Sequence, residues 1–367
     1  MYDAIVVGAR CAGAPTAMLL ARQGYRVLLC DRATFPSDTV SNGMFNSPGL
    51  PYLQRWGLLD RLKATGVPAV RHGTTFVFGQ RFRTEYAAPT YAPRRIVLDH
   101  LLVEAAVQAG AELRERCRVT ELLHDHGRVA GIQATGSSGR EVREEARLVI
   151  GADGRRSTMA RLFGASQYAS TPAPISGGVL TYFEQVPTDG YEFWIGGQEG
   201  MAILAPSHDG LTHVSTFGSD AGTPAAQFDR VIALFPELQN RLGGGTRATK
   251  LVAYRESPIF LRKAWGPGWA LVGDASFHPG PFGGYGMAHA FRDADTIATA
   301  MNDWFGGRVT YEQAMARYAE NHDGWAQAFF DIETSTIQAY AEGRQPPSPE
   351  PLVARWHAEI ANQDSVS

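Results

Sequence analysis

The sequence predicts an α/β fold: a Rossmann-like parallel sheet with helices, a separate antiparallel β-sheet, and a helical C-terminal segment. Three observations predict it. The chain opens on an apolar run, a glycine turn, a stretch with helical spacing and a second apolar run, "DAIVVGARCAGAPTAMLLARQGYRVLLCDR". Two more apolar runs, "RLVIGADG" and "WALVGDAS", end on Gly/Asp turns far downstream. The remaining stretches hold short β-branched and aromatic runs separated by Gly, Pro and Asp, the pattern of an antiparallel sheet. The chain has 367 residues, 44% of them hydrophobic and 19% charged. That is long enough for two joined domains with a real core.

The elements follow in order. "DAIVVGA" is apolar enough for a strand covered on both faces. "GAPTAMLLARQG" has helical spacing and ends at Gly24, and "RVLLCDR" is a second buried strand. Gly8 permits the tight turn between strand and helix, while Gly13 and Ala17 let the two pack closely. The helix N-terminus then directs free N–H groups at a phosphate. Arg10 stands where G-x-G-x-x-G has its second glycine, and its side chain is expected to project outward. Asp31 ends the second strand about 20 residues past the turn, placed to accept bonds from a ribose. Together these features indicate a dinucleotide site, and the turn alone leaves NAD and FAD open.

Further on, "LDHLLVEAAVQAG" is an amphipathic helix for packing on the sheet. Residues 147–164 read as a strand, a turn at Asp153-Gly154 and a helix with Ser157 near its start. Residues 269–295 read as a buried strand ending at Gly273-Asp274, a Pro/Gly loop and a helix. Small residues at 280, 283, 284 and 286 let backbone lie against a flat ligand. Asp274 suits the hydroxyls of a ribityl chain. The helix starting near Tyr285 directs its dipole at developing negative charge.

These segments resemble the flavin monooxygenases of the para-hydroxybenzoate hydroxylase type over about residues 1–345. The dinucleotide turn matches at Gly8, Gly13 and Asp31. The D-G motif matches at Asp153, Gly154, Arg156 and Ser157, and the G-D motif at Gly273, Asp274, Pro281, Gly284 and Gly286. "RRIVLDHLLVEAAVQAGAEL" resembles the family's arginine-led helix, which makes Arg95 a flavin contact. Tyr285 stands where the family commonly has glutamine. The resemblance implies FAD held by Gly8, Ala12, Gly13, Asp31, Arg32, Arg95, Val119, Asp153, Asp274, Pro281, Gly284, Tyr285, Gly286 and Met287. It also implies Pro281, His278 and Tyr285 as the residues nearest the chemistry.

In this reading the FAD-binding domain (glutathione-reductase-2 type) is discontinuous, at 1–70, 92–165 and 266–303. Residues 71–91 and 166–265 form a substrate-binding sheet that roofs the flavin, and 304–367 a helical segment. The expected activity is an NAD(P)H-dependent monooxygenase that inserts one atom of dioxygen into an aromatic or polyketide-like small molecule. Three rivals share the fold. A flavin halogenase carries W-x-W-x-I-P and a lysine near its substrate; here "FWIGG" lacks the second Trp and the Pro, and Lys63 reads as exposed. The others are a reductase or dehydrogenase acting on double bonds, and a non-redox cyclase or binding protein that keeps FAD for structure.

Composition bounds the rest. A net charge of −3 and a pI near 6.4 disfavour nucleic acid. Cys11, Cys30 and Cys117 are widely spaced, which indicates neither a disulfide framework nor a zinc site and fits a reducing cytoplasm. Neither a removable leader nor a membrane span is expected. His124 and His126 in "LLHDHGRV" read as a solvated hairpin turn rather than a metal pair. His278 locks the flavin loop, moves a proton, or is simply solvated. Phe76, Phe78, Tyr182, Trp194 and Phe217 are candidates to bury an aromatic substrate, part of the set being ordinary core. His213 and Tyr182 read as core or surface, with pocket lining as the sharper alternative. Cys11 beside a helix N-terminus is either a small packing residue or a thiol of lowered pKa.

Overall fold

A computed structural model of the chain describes residues 1–364, apart from positions 40, 42, 46, 78, 172–176, 219–221, 281–282, 343 and 345–346. β1 (Tyr2–Val7), α1 (Gly13–Arg22) and β2 (Val27–Cys30) form the opening unit. β1 is the centre of a parallel sheet: Ile5 pairs with Leu28 on one side and with Val149 on the other. Strand Trp269–Leu271 adds in parallel to strand Glu141–Gly151, and strand Glu112–Arg114 to β2. Every residue of β2 is buried, which explains why its sequence shows no alternation. The strand ends that deliver Gly8, Asp31, Asp153 and Gly273-Asp274 therefore share one edge, where ligands bind in open α/β sheets.

α1 packs against helix Arg95–Gln108 and helix Gly286–Phe305. Two C-terminal helices, Tyr311–Ala341 and Glu350–Asp364, close the outside. Tyr318 donates to the Leu271 carbonyl at 2.6 Å, and the Trp356 indole donates to the Tyr52 hydroxyl at 3.0 Å. These bonds satisfy polar tips on otherwise buried aromatic rings.

The second sheet has the strand order Thr246–Arg247, Gly177–Glu184, Thr212–Gly218, Gly200–Pro206, Tyr191–Ile195, Ala69–Val77, Gln80–Tyr91. It is not wholly antiparallel as expected: Tyr191–Ile195 runs parallel to Ala69–Val77. These two strands come from separate stretches of chain joined by a long excursion through the α/β layer, so no hairpin imposes the antiparallel sense. The outer face is covered by helices Pro224–Ala233 and Pro236–Gly243. There Trp194 stacks on Phe76 with ring centroids 3.9 Å apart, and Phe235 packs beside it. On the inner face the register sets Gly178 opposite Phe217, Leu180 opposite Ser215 and Tyr182 opposite His213.

Candidate functional site

A cavity of about 1340 Å³ lies between the strand ends of the α/β layer and the inner face of the second sheet. Drug-sized ligands occupy pockets of roughly 300–1,000 Å³, so this one has room for a dinucleotide and a second molecule. Gly8, Ala12, Asp31, Arg32, Arg95, Val119, Asp153, Asp274, Gly284, Gly286 and Met287 all line it, as does His278. Gly13 stands just behind the lining: a Cβ there would strike the Gly8 carbonyl. Gly8 has φ +105°, and a Cβ on it would strike the carbonyl of Ala152. Both glycines are thus required by close approach of strand, turn and helix. The N-terminus of α1 carries no side-chain cap, which leaves its N–H groups open to an anion.

The acids of the turns are held from below. Asp31 accepts from the backbone N–H of Ala9 at 2.7 Å and of Ala33 at 2.8 Å. Asp153 accepts from the Ser157 hydroxyl at 2.5 Å and from the N–H groups of Thr158 and Met159 at 2.7 and 3.1 Å. Burial pushes its carboxyl up, and those three bonds work against the shift. For Asp274, removal from water favours the neutral form, but the facing His278, Arg155 and Arg95 outweigh it and hold the carboxyl below its ordinary value. His278 is braced on both sides: Nδ1 lies 3.2 Å from Asp274 Oδ2, and Nε2 lies 2.9 Å from the Ser257 hydroxyl.

Arg10 does not project outward. Its Nη1 donates to Asp99 at 2.5 Å and to the Ser37 carbonyl at 3.2 Å, while Nη2 reaches the Ser37 hydroxyl at 3.1 Å and the Asp38 carbonyl at 3.2 Å. Asp99 is fully buried and also accepts from Arg95 at 2.9 and 3.0 Å. A buried carboxylate is costly unless paired, and Asp99 draws both guanidiniums inward. Sequence reasoning missed Asp99. Its spacing of four residues from Arg95 on one helix face was the available signal.

Tyr285 is also placed differently. It is absent from the cavity lining, because its ring packs on Phe329 of helix Tyr311–Ala341 at 4.8 Å between centroids. An apolar slot under the C-terminal helix takes the ring, and burial pushes its hydroxyl pKa up. Pro281 lies outside the described residues, as does Phe78. Of the aromatic candidates, Tyr182 and Phe217 line the cavity, whereas Phe76 and Trp194 belong to the outer-face core. Tyr254, which no sequence motif singles out, lines the cavity beneath the Arg155 guanidinium at 5.4 Å. Its ring fills the space of an absent side chain at Gly178. Burial pushes the Cys11 thiol up to about 12, so it is a packing residue rather than an activated thiol. His126 is exposed in a turn, and no cluster fit for a metal occurs among the described residues.

The sequence profile of the FAD binding domain family matches residues 1–331. The chain belongs to this family. It is an FAD-dependent oxidoreductase, and the residues present fit the cofactor: the glycine cradle, the uncapped helix end and the cavity volume suit an anionic dinucleotide. Menaquinone reductase of Mycolicibacterium smegmatis is 25% identical over 339 residues, 87% of this chain and 80% of that protein. FixC of Escherichia coli is 29% identical over 214 residues, and the match spans 48% of its length, about half. Rifampicin monooxygenase of Streptomyces venezuelae is 29% identical over 174 residues, 45% of this chain and 34% of that protein. Among solved structures, the myxobacterial chondrochloren halogenase CndH superposes with a TM-score of 0.83 at 21% identity, covering 98% of this chain and 90% of its own. At that identity the likeness is one of fold.

Proposed function

We propose that the protein is a monooxygenase of the para-hydroxybenzoate hydroxylase type, using FAD, NADPH or NADH, and dioxygen to hydroxylate or epoxidise an aromatic or polyketide-like molecule. The observation that carries this reading is the continuity of the cavity. It runs without a break from the dinucleotide turn at Gly8 to an apolar roof of Leu180, Tyr182 and Phe217. Bound FAD would supply the redox chemistry, taking hydride from a reduced nicotinamide and passing electrons to dioxygen. The chain's own part is to bind, orient and keep dry. Gly8, Ala12, Gly13, Asp31 and Arg32 would hold the ADP half. Arg95, Val119, Asp153 and Asp274 would hold the middle, and Gly284, Gly286 and Met287 the ring end. Helix Gly286–Phe305 begins at the cavity, so its N-terminal dipole favours a negative charge there. His278, fixed between Asp274 and Ser257, locks the loop that precedes this helix. Tyr285 contributes through its backbone, since its side chain is withdrawn.

The rifampicin monooxygenase relative supports the reading. A second reading, reduction of a quinone-like double bond, is favoured by the menaquinone reductase relative, which matches far more of the chain. Nothing specific favours a halogenase: Lys63 is exposed and paired with Asp60 at 2.8 Å, and Trp194 faces away from the cavity. Turnover under isotopically labelled dioxygen, with an anaerobic control, separates the two readings. A monooxygenase puts one labelled atom into its product and makes none without oxygen. Product formed anaerobically, or without label, would overturn the proposal, and nicotinamide consumed in step with anaerobic product would select the reductase.

A further inference from the structure

Two of the three cysteines meet beside the cavity. All three are free thiols. Cys30 ends β2 and pairs with Arg114 of strand Glu112–Arg114. The chain turns back at Arg116, whose φ of +50° lies in the left-handed region that residues other than glycine seldom adopt. The turn lets the Arg116 N–H donate to the Ala33 carbonyl at 3.1 Å and the Cys117 N–H to the Asp31 carbonyl at 2.8 Å. Cys117 is thereby set beside Cys30, and the two thiols are hydrogen-bonded within one apolar cluster that includes Val7 and Val119. Cys30 is fully buried. Cys117 is 4% exposed and lines the cavity with Asp31, Ala33 and Val119, at the end where the ADP half of FAD would lie.

The pairing gives the two thiols different roles. A buried cysteine is ordinarily a small apolar filler, and Cys11 is one: its thiol donates to the Asp99 carboxylate at 3.5 Å and is pushed up by burial. Cys117 differs. It receives the Cys30 hydrogen bond and feels the Arg114 guanidinium. Together these outweigh burial and the Glu144 and Asp31 carboxylates, and they hold its thiol below the ordinary value. Cys30 keeps its proton, because it donates that bond and lies out of water. The only other acceptor given for its sulfur is the Val6 carbonyl at 3.6 Å. In thiol oxidation the thiolate is the nucleophile, and a neighbouring thiol that resolves its first product makes the site reversible.

We propose that Cys30 and Cys117 form a redox-modification site at this end of the cavity, which hydrogen peroxide closes to a disulfide and bound FAD shields. In the first step the Cys117 sulfur attacks the peroxide. An S–O bond forms as the O–O bond breaks, and the leaving hydroxide takes up the proton Cys117 gave up, as water. The Cys30 sulfur then attacks the Cys117 sulfur. An S–S bond forms as the S–O bond breaks, and hydroxide leaves with the Cys30 proton as a second water. The thiol pair loses two electrons and one peroxide gains them. The shielding rests on the reading that seats the ADP half at Asp31 and Arg32, and the thiol chemistry does not.

The test treats the full-length protein with hydrogen peroxide, once stripped of FAD and once reloaded, and follows its intact mass and its cross-linked peptides. Recovered FAD binding on reloading establishes that the stripped chain is folded. The stripped protein should lose two hydrogens, regain them with dithiothreitol and yield a peptide joining Cys30 to Cys117. With free FAD at about ten times its Kd, about one site in eleven stays open, so the reloaded protein should oxidise about ten-fold more slowly. Cys117→Ser should abolish the disulfide, and Cys30→Ser should stop the reaction at a Cys117 sulfenic acid that dimedone traps. Thiols that stay reduced until the protein is unfolded, or a disulfide that includes Cys11, would overturn the proposal. A Cys30–Cys117 disulfide formed equally fast with FAD bound would overturn the shielding, and with it the seating of the ADP half. None of these measurements uses turnover, so the monooxygenase reading can fail without moving them.

Discussion

Arg10 shows how a single side chain can replace a motif residue without breaking the motif. The guanidinium leaves the turn's backbone open and ties three pieces together: the turn, the 37–38 segment and the buried Asp99. Arg10→Gly would restore the usual glycine pattern, yet it should weaken the protein. A charge-assisted hydrogen bond contributes roughly 1.5–3 kcal/mol, and Asp99 would keep Arg95 and the weak Cys11 thiol donor. The expected outcome is a loss of about 1–2 kcal/mol in urea unfolding, with weaker FAD binding by fluorescence titration. Unchanged or improved stability would show that the Asp99 network does not depend on Arg10. The glycines and Asp274 were legible because tight turns need local chemistry that the sequence displays. Asp99 and Arg10 meet across 89 positions, and no local pattern reports that. The direction of Tyr285 was equally hidden, because Phe329 on a distant helix decides it.

Among the elements, helix Tyr311–Ala341 braces the site from behind the cavity lining. It sets Glu333, which is 2% exposed, against the backbone N–H of Gly283 in the loop before helix Gly286–Phe305. Burial pushes this carboxyl up to about 8, and the Gly283 bond only partly opposes the shift. In the unfolded chain the group titrates near its ordinary 4.5. Between those two values the unfolded state has released a proton that the folded state keeps, so stability falls as pH rises through that window. Glu333→Gln preserves shape and removes the titration. Its thermal midpoint should decline less than the wild type's from about pH 5 to about pH 8. Parallel declines would mean that Glu333 is not the group responsible. Strands and helices themselves were readable from apolar periodicity. The parallel pairing of Tyr191–Ile195 with Ala69–Val77 was not, and neither was the register that sets Ser215 opposite Leu180, because cross-strand partners depend on the assembled sheet.

On the scale of the whole molecule, the cofactor layer is stitched from distant segments: β1 and β2 at the start, Glu141–Gly151 in the middle and Trp269–Leu271 late. The protein should purify yellow, with about one FAD per chain held without a covalent bond; release of FAD by mild denaturation, followed by its absorbance, checks this. The order of those segments also sets a timetable. The ribosome delivers the roof strands Gly177–Glu184 and Thr212–Gly218 well before Asp274 and the helix that starts at Gly286. At roughly 5–20 residues per second, the ribosome takes about 3–14 seconds to pass from Gly218 to Gly286, and for that time the nascent chain holds a roof over an unfinished floor. Nascent chains stalled near residue 250 should gain no protease resistance from added FAD, whereas chains with residue 305 clear of the exit tunnel should gain it. Protection of the shorter chains would mean that the opening β-α-β unit grips the cofactor alone. If it does not, the cell's flavin supply touches this protein only after helix Gly286–Phe305 has been made, and a shortage would leave both layers built around an empty centre.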